Sequence, residues 1–320
     1  MALAIGVDIG GTKVAGGLVD EDGDVVLRMR RDTPSVDAAA TEATIAELVL
    51  ALAAEAGEVE AVGLGAAGFV DPTGSTVRFA PNLVWREEPL RARVETLTGL
   101  PVSVENDGNT AAWAEVRFGA GRGESDVIVV GVGTGIAGGL VMFGRIYRGK
   151  WGTAGEWGHL RLVPDGRPCG CGRRGCWEQY ASGNALVREA RERAAALPEA
   201  AAALLARGDG TPAGLTGPMV TAAAQAGDPL ALACFAEVGR WLGRGVAEIV
   251  AVLDPGLVVI GGGVSEAGEL LIAPAREEFA SAVVGAAYRP LPEFVAATLG
   301  NDAGLVGAAD LARLRRAERG

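Results

Sequence analysis

The chain has 320 residues, 49% hydrophobic and 22% charged, with a formal net charge of −11 at pH 7; this is the balance of a soluble globular protein with room for two domains, each with its own core. So acidic a chain excludes a nucleic-acid backbone or an anionic membrane as partner, since both require a basic surface. A small anionic ligand stays compatible, because backbone N–H groups bind it locally.

The N-terminal "MALAIGVDIGG" has no basic n-region and too short an apolar run for a signal peptide. It reads as a strand that enters a glycine hairpin, then a second strand to about Thr33. An Ala-rich helix is predicted over 36–56. Strands follow at "EAVGLGAAG" and "PVSVEND", and a helix begins near "GNTAAWAEVRF". The hairpin pattern returns over 126–148, followed by the Cys- and His-bearing stretch "GEWGHLRLVPDGRPCGCGRRGCWEQ" over 155–179. Helices are predicted over 182–206, 218–226 and 228–252, then the strand "GLVVIGGGV", a helix over 268–282, the strand "EFVAATLG" and a terminal helix over 303–318. "LPEAAAALLARGDGTPAGLTGPM" reads as a surface excursion because of its Gly and Pro content. No apolar run reaches the ~18 residues of a membrane span; "VAEIVAVLDPGLVVIGGGV" is interrupted by Glu248, Asp254 and Pro255.

One feature organises this list. "GTKVAGGLV" at 11–19 recurs as "GTGIAGGLV" at 133–141, each after an apolar β-like run. A single copy would be an ordinary glycine turn. Two copies at the head of two βα blocks indicate a duplicated α/β chain with two glycine hairpins whose N–H groups suit phosphates. Other nucleotide motifs fail: "GVDIGGTK" is not a Walker A loop, no dinucleotide fingerprint opens a helix, and a protein-kinase catalytic loop is absent. Lys13 and Lys150 are the only lysines; a lysine retained against so strong an arginine bias is either a needed point charge or a chance survivor.

His159, the only histidine, lies near Cys169, Cys171 and Cys176, three of the four cysteines. Three thiolates and one imidazole fit tetrahedral Zn²⁺, and Gly170, Gly172 and Gly175 let the backbone curl around an ion. A disulfide is a poor alternative, because an odd trio leaves one thiol over and Cys169–Cys171 is too close for relaxed geometry. Four protein ligands close the site, so the zinc is expected to be structural. Cys234, in "PLALACFAEVGRWL", reads as a small buried apolar residue. So few cysteines in so long a chain fit a reducing cytoplasm.

"DIGGTK", "GTG", "ENDGN", "GEWGH" and "CGCGRRGCWE", in that order, resemble the ROK family, and within it the ATP-dependent glucokinases of bacteria. The resemblance runs from Ile5 to the final helix. It implies a duplicated actin-like, hexokinase-like fold of two domains with a cleft between them. The expected small domain is 1–108 joined by the C-terminal helix 303–320, and the expected large domain is 109–302, carrying the zinc loop 155–179. The implied reaction is transfer of the γ-phosphate of ATP to the 6-hydroxyl of glucose, with Asp107 as general base. Sugar contacts implied by the resemblance are Gly68, Asn82, Asn106, Asp107, Glu156, His159 and Glu178. For ATP and Mg²⁺ it implies Asp8 (through water), Gly10, Gly11, Thr12 and Lys13, then Gly133, Thr134 and Gly135, with adenosine against Gly261, Gly262 and Gly263.

Several of these residues have plainer readings. Asn106-Asp107 can cap the helix that follows, Pro81-Asn82 is an ordinary turn, and a triple glycine is an ordinary strand-to-helix link. Asp71 in "FVDPTG" is read as a turn starter outside the site. Family members commonly have Pro-Gly where this chain has Ala67-Gly68, which relaxes the backbone there. With one imidazole nitrogen on zinc, the other carries a proton to donate to a sugar hydroxyl. Alternative substrates within the family are N-acetylmannosamine, allose or fructose, or polyphosphate as donor. A sugar-responsive transcriptional regulator would carry a DNA-binding domain ahead of the first hairpin, whereas here that strand begins by Ile5. The expected assembly is a homodimer or homotetramer, with no nucleic-acid or membrane partner.

Overall fold

The computed structural model describes residues 2–318, so the last two positions of the helix expected over 303–320 lie outside the described residues. The chain divides into two compact units, one of Met1–Val129, Gly139–Gly155 and Thr298–Gly320, the other of Val130–Gly138 and Glu156–Ala297. The duplication read from the glycine repeat is present in the topology. One five-stranded sheet has the order β3-β2-β1-β4-β8, built from β1 (Leu3–Ile9), β2 (Lys13–Val19), β3 (Val25–Asp32), β4 (Val59–Ala66) and β8 (Val102–Asn106). The other has the order β11-β10-β9-β12-β13, from β9 (Val127–Val132), β10 (Ile136–Met142), β11 (Arg145–Ile146), β12 (Leu257–Gly261) and β13 (Glu293–Ala296). Each runs from a hairpin edge through the repeat's first strand to two later strands.

In the first unit the period of β1 decides what covers each face. Ile5, Val7 and Ile9 join the buried cluster that contains Ile45, Leu48, Val49 and Leu52 of helix α1 (Ala38–Ala56). Ala4 joins the cluster formed with Leu305, Val306 and Ala309 of helix α10 (Ala303–Ala317). That second face is made of small residues for a reason. Gly6 and Gly63 are register partners on β1 and β4, and a Cβ on either would lie 1.8 Å from a backbone oxygen of α10, Leu305 O and Ala308 O respectively. The paired glycines are therefore a trough for the returning helix. Gly63→Ala is expected to cost at least the ~1–3 kcal/mol of an overpacked core, read as a lower urea midpoint.

Helix α3 (Asp107–Phe118) lies beside α10, where Asp310 is buried and accepts from Trp113 Nε1 at 2.7 Å and Arg117 Nε at 3.2 Å. Buried Glu115 accepts from the backbone N–H groups of Ala120, Thr298 and Leu299 at 2.8–3.1 Å, which fixes the chain as it enters α10. The sequence reading contained no element between "EAVGLGAAG" and "PVSVEND". The structure has a three-stranded sheet there, β5 (Phe69–Val70), β6 (Val77–Phe79) and β7 (Arg86–Glu88), followed by helix α2 (Leu90–Thr98). Strands of two or three residues carry no readable alternation, and α2 buries only Leu90 and Val94.

In the second unit helix α8 (Pro229–Leu253) is the core element, packed along helix α9 (Glu269–Ala282). The helix expected over 182–206 is broken into α5 (Gly183–Ala196) and α6 (Ala202–Leu205), and the short α4 (Glu178–Ala181) precedes it. Leu197, the residue before Pro198, leaves the helical region at φ −134° and ψ 63° and ends α5. The segment expected as a surface excursion is in part buried, since Ala201, Leu204 and Leu215 are fully enclosed. Helix α7 (Gly217–Gln225) completes the unit. Among the described residues no single helix is long and apolar enough to cross a membrane.

Candidate functional site

The first unit brings Gly68, Asn106 and Asp107 together where β8 turns into α3. Asn106 is the N-cap: its Oδ1 accepts from Asn109 N at 3.0 Å. Its Nδ2 donates to Gly68 O at 2.9 Å and to Asp107 Oδ1 at 3.1 Å. The capping reading is fulfilled, and the amide that caps the helix also donates to the neighbouring Asp107 carboxylate. A Cβ on Gly68 would lie 2.3 Å from Phe79 O, so glycine is required here by the neighbouring β6 backbone.

Behind this junction is a group that the sequence reading missed. Glu105 is buried, and its carboxylate accepts from Arg148 Nε at 2.6 Å, Arg315 Nη2 at 3.0 Å and Asn109 Nδ2 at 3.0 Å. The available signal was a charged residue inside the apolar run "PVSVEN". Exposed Asn82 sits in the loop joining β6 to β7. Arg86 holds that loop, with Nη1 donating to the carbonyls of Ala80, Leu83 and Trp85 at 3.0, 3.1 and 2.6 Å and its guanidinium 4.3 Å above the Phe79 ring.

The hairpin Gly10–Lys13 closes with Gly10 N donating to Lys13 O at 3.0 Å, while Thr33 Oγ1 donates to Gly10 O at 2.9 Å. It meets the Asn82 loop, since a Cβ on Gly11 would lie 2.8 Å from Asn82 Cβ. Thr12 and Lys13 are exposed at the bend. Asp8, half-buried at the end of β1, has its carboxyl pushed up by burial, against the opposing charge of Lys13. The carboxylate suits Mg²⁺ held through water, and the ammonium beside it suits the phosphates that share the ion. Lys150 rests 5.0 Å above the Trp151 ring. Asp71 is a turn starter, as expected; hydrogen bonds from Thr73, Thr76 and Ser75 outweigh burial and hold its carboxyl well below the usual range.

The second unit brings the other hairpin together with the other glycine run. Gly133 N donates to Gly135 O at 3.0 Å, and Gly183 N, opening α5, donates to Gly133 O at 2.7 Å. Thr134 is exposed at the bend. Gly262 has φ +82° and a Cβ there would lie 2.6 Å from Val132 O, so this turn is packed on the hairpin's own strand. A Cβ on Gly261 would touch Ala297 at 3.2 Å, whereas at Gly133 or Gly263 it would meet nothing within 4 Å. Packing leaves the backbone in front of these two glycines open to a ligand.

His159, Cys169, Cys171 and Cys176 converge with their four ligand atoms within 4.8 Å of one another. All four cysteines are unpaired thiols, and Cys234 is buried in α8, where burial pushes its thiol up to about 12. Cys171 Sγ and Cys176 Sγ are 3.5 Å apart, and Cys169 Sγ is 3.7 Å from His159 Nδ1. A tetrahedron with ~2.3 Å Zn–S and ~2.0–2.1 Å Zn–N bonds has edges of roughly 3.8 and 3.6 Å. The residues fit zinc, the widest pair closing by roughly 1 Å.

The loop that carries them is anchored from beneath. Trp177 is fully buried, its Nε1 donates to Trp241 O at 2.7 Å, and Gly245 of α8 leaves room for the ring. Glu178 follows directly: its Oε1 accepts from Cys169 Sγ at 2.9 Å and lies 3.8 Å from His159 Nδ1. With Nδ1 turned toward the thiols, His159 keeps Nε2–H for an outside acceptor. Glu156, one turn before His159, has its carboxyl pushed up by desolvation and by Glu178, with His159 opposing. A Cβ on Gly135 would lie 2.6 Å from Glu178 Oε2, so hairpin and metal loop are contiguous.

The chain matches the ROK family over residues 4–315. It is 51% identical over 313 residues to a glucokinase of Streptomyces coelicolor, covering 98% of each chain. Its structure resembles that of a ROK family glucokinase from Streptomyces griseus in complex with glucose and AMPPNP, at 52% identity and a TM-score of 0.90, covering 98% of this chain and 100% of that one. It also resembles a ROK hexokinase from Thermus thermophilus, at 35% identity and a TM-score of 0.79, covering 99% and 100%. The duplicated topology is the two-domain, actin-like and hexokinase-like α/β fold of these kinases.

Proposed function

The chain belongs to the ROK family, and from that premise we propose that it is an ATP-dependent glucokinase, transferring the γ-phosphoryl group of ATP to the 6-hydroxyl of glucose. The observation that carries this reading is similarity over nearly the full chain to glucokinases, one of them in complex with glucose and AMPPNP.

The chemistry asked of this chain is positioning, proton removal and charge stabilisation. The 6-hydroxyl oxygen bonds to the γ-phosphorus, the bond to the β–γ bridging oxygen breaks, ADP leaves, and the hydroxyl proton passes to the Asp107 carboxylate. Asn106 orients that carboxylate and reads a sugar hydroxyl; Asn82 and the backbone at Gly68 read others. In the second unit Glu156, Glu178 and His159 Nε2–H supply two acceptors and a donor for a neutral polyhydroxy ligand. From hairpins closed by the Gly10 and Gly133 N–H groups, Gly11, Thr12 and Lys13, and Thr134 and Gly135, present N–H groups, hydroxyls and one ammonium to phosphates. Gly261, Gly262 and Gly263 take the adenosine. Bound Mg²⁺, carried by Asp8 and the phosphates, would neutralise phosphoryl charge. His159, Cys169, Cys171 and Cys176 would hold a structural Zn²⁺ whose contribution is to fix the loop bearing Glu156, His159 and Glu178.

A cytoplasmic location is part of this proposal, since thiols stay reduced and ATP is available there. The proposed assembly is a homodimer or homotetramer, as the resemblance to the family implies. No observation favours another hexose, polyphosphate, or a regulatory role without catalysis. A coupled assay over glucose, N-acetylmannosamine, allose and fructose, each with ATP and with polyphosphate, tests the reading. Glucose with ATP is expected to exceed every other pair in kcat/KM by at least ~10-fold; a better sugar or donor would overturn it.

A further inference from the structure

Glu105 is buried, and each of its carboxylate oxygens takes two donors. Four groups converge on its carboxylate: Arg148 Nε at 2.6 Å, Arg315 Nη2 at 3.0 Å, Asn109 Nδ2 at 3.0 Å and the N–H of Asn106 at 3.2 Å. Two of these lead to the proposed base. Asn109 is the residue whose N–H is capped by Asn106 Oδ1, and Asn106 Nδ2 donates to Asp107 Oδ1. A continuous chain of contacts therefore runs Glu105, Asn109, Asn106, Asp107. The other two are cations on distant segments, 43 and 210 residues away in sequence.

On the reading that Asp107 is the general base, we propose that Glu105 is its positioning residue: it locks the β8–α3 junction and offsets the charge of Arg148 and Arg315 so that the neighbouring carboxylate keeps the basicity to accept a proton. Neighbouring elements bring further charged groups, and Asp71 lies in the loop whose Gly74 meets Arg315. α10 contributes Arg315, and its Asp310 is engaged by Trp113 and Arg117 further along α3. The segment after β11 contributes Arg148. On β4, Glu60 pairs with Arg313 at the strand's far end. On β1, Asp8 shares a register level with Gly65 and, through it, Glu105, two strands over on the same sheet face.

The sign of each substitution follows. Glu105→Gln removes a negative charge and leaves two guanidinium groups with weaker compensation, which favours the ionised form of Asp107. The acid limb of the kcat/KM–pH profile moves to lower pH, and kcat falls roughly tenfold or more as the junction loosens. Arg148→Met removes one cation and leaves Glu105 in place, so the acid limb moves to higher pH. Opposite displacements are not produced by general loosening. The double variant Glu105→Gln/Arg148→Met returns the net charge to that of the native cluster and brings the limb back toward its native position, with kcat still reduced.

The experiment is a set of pH–rate profiles on the full-length enzyme with glucose and ATP, for the native protein and these three variants, with Asp107→Asn in parallel and a melting curve on each. If Glu105→Gln is too unstable to assay, the upward displacement in Arg148→Met carries the test. An unmoved acid limb in the variants, or displacement in one common direction, overturns the proposal when Asp107→Asn is inactive. Native-like turnover in Asp107→Asn overturns the base assignment instead, and the two failures are separate.

Discussion

Asp107→Asn is expected to reduce kcat by ~10²–10⁴, roughly 3–5 kcal/mol in the barrier, while glucose binds with nearly native affinity. The substitution keeps side-chain shape and an Oδ1 that can still accept from Asn106 Nδ2, at 3.1 Å in the native protein. What it removes is the capacity to take the 6-hydroxyl proton. Calorimetric titration with glucose beside a coupled rate assay separates the two effects. Native turnover in the variant would remove Asp107 from the mechanism. A melting curve also separates the two residues of the pair: Asn106 is the cap, so Asn106→Ala is expected to cost ~1 kcal/mol of stability together with sugar affinity. Asp107 is an acidic residue in the helix's first turn, where its charge has a surface-dipole effect of ~0.3–1 kcal/mol.

The difference between these neighbours marks how far the sequence reading reached. The two copies of the glycine hairpin carried the duplicated topology, because a repeated turn with repeated flanks fixes which strand pairs with which. His159 and the three cysteines carried the metal site, because ligand chemistry is written in residue type. What was missed depends on contacts distant along the chain. Glu105 draws its meaning from Arg315, 210 residues later, and nothing local to "PVSVEN" says which cations will reach it. Gly63 reads as a weak point in a strand until α10 returns to lie 1.8 Å from where its Cβ would be. The expected use of Gly68, backbone room for a sugar, overlooked the nearer demand of the Phe79 carbonyl. β5, β6 and β7 are too short for any period, and the expected helix over 182–206 ignored the restriction that Pro198 places on Leu197.

Cys176→Ala is expected to lower zinc content from about one ion per chain to near none and to weaken glucose binding by roughly 10–100-fold, the usual range for disturbing a metal site's supports. Cys176 is fully buried, 3.5 Å from Cys171, and directly precedes Trp177 and Glu178. Loss of its thiolate leaves three ligands around an ion that wants four, and the loop's register then rests on Trp177 and the backbone bridges at Arg161–Cys176 and Pro168–Arg174. Glu156, His159 and Glu178 lose their fixed mutual geometry together, so the sugar is affected ahead of the nucleotide. AMPPNP affinity is expected to fall less, because Gly261 and Gly262 pack against Ala297 and Val132 and not against the cysteines. The comparison variant is Cys234→Ala, which removes a buried thiol of α8 outside the cluster and is expected to leave zinc content native. Metal analysis and paired titrations with glucose and AMPPNP on the same samples decide the matter. Native protein free of zinc, or Cys176→Ala that binds glucose normally, would mean that the loop holds its shape without an ion and that the cluster serves some purpose other than building the sugar pocket.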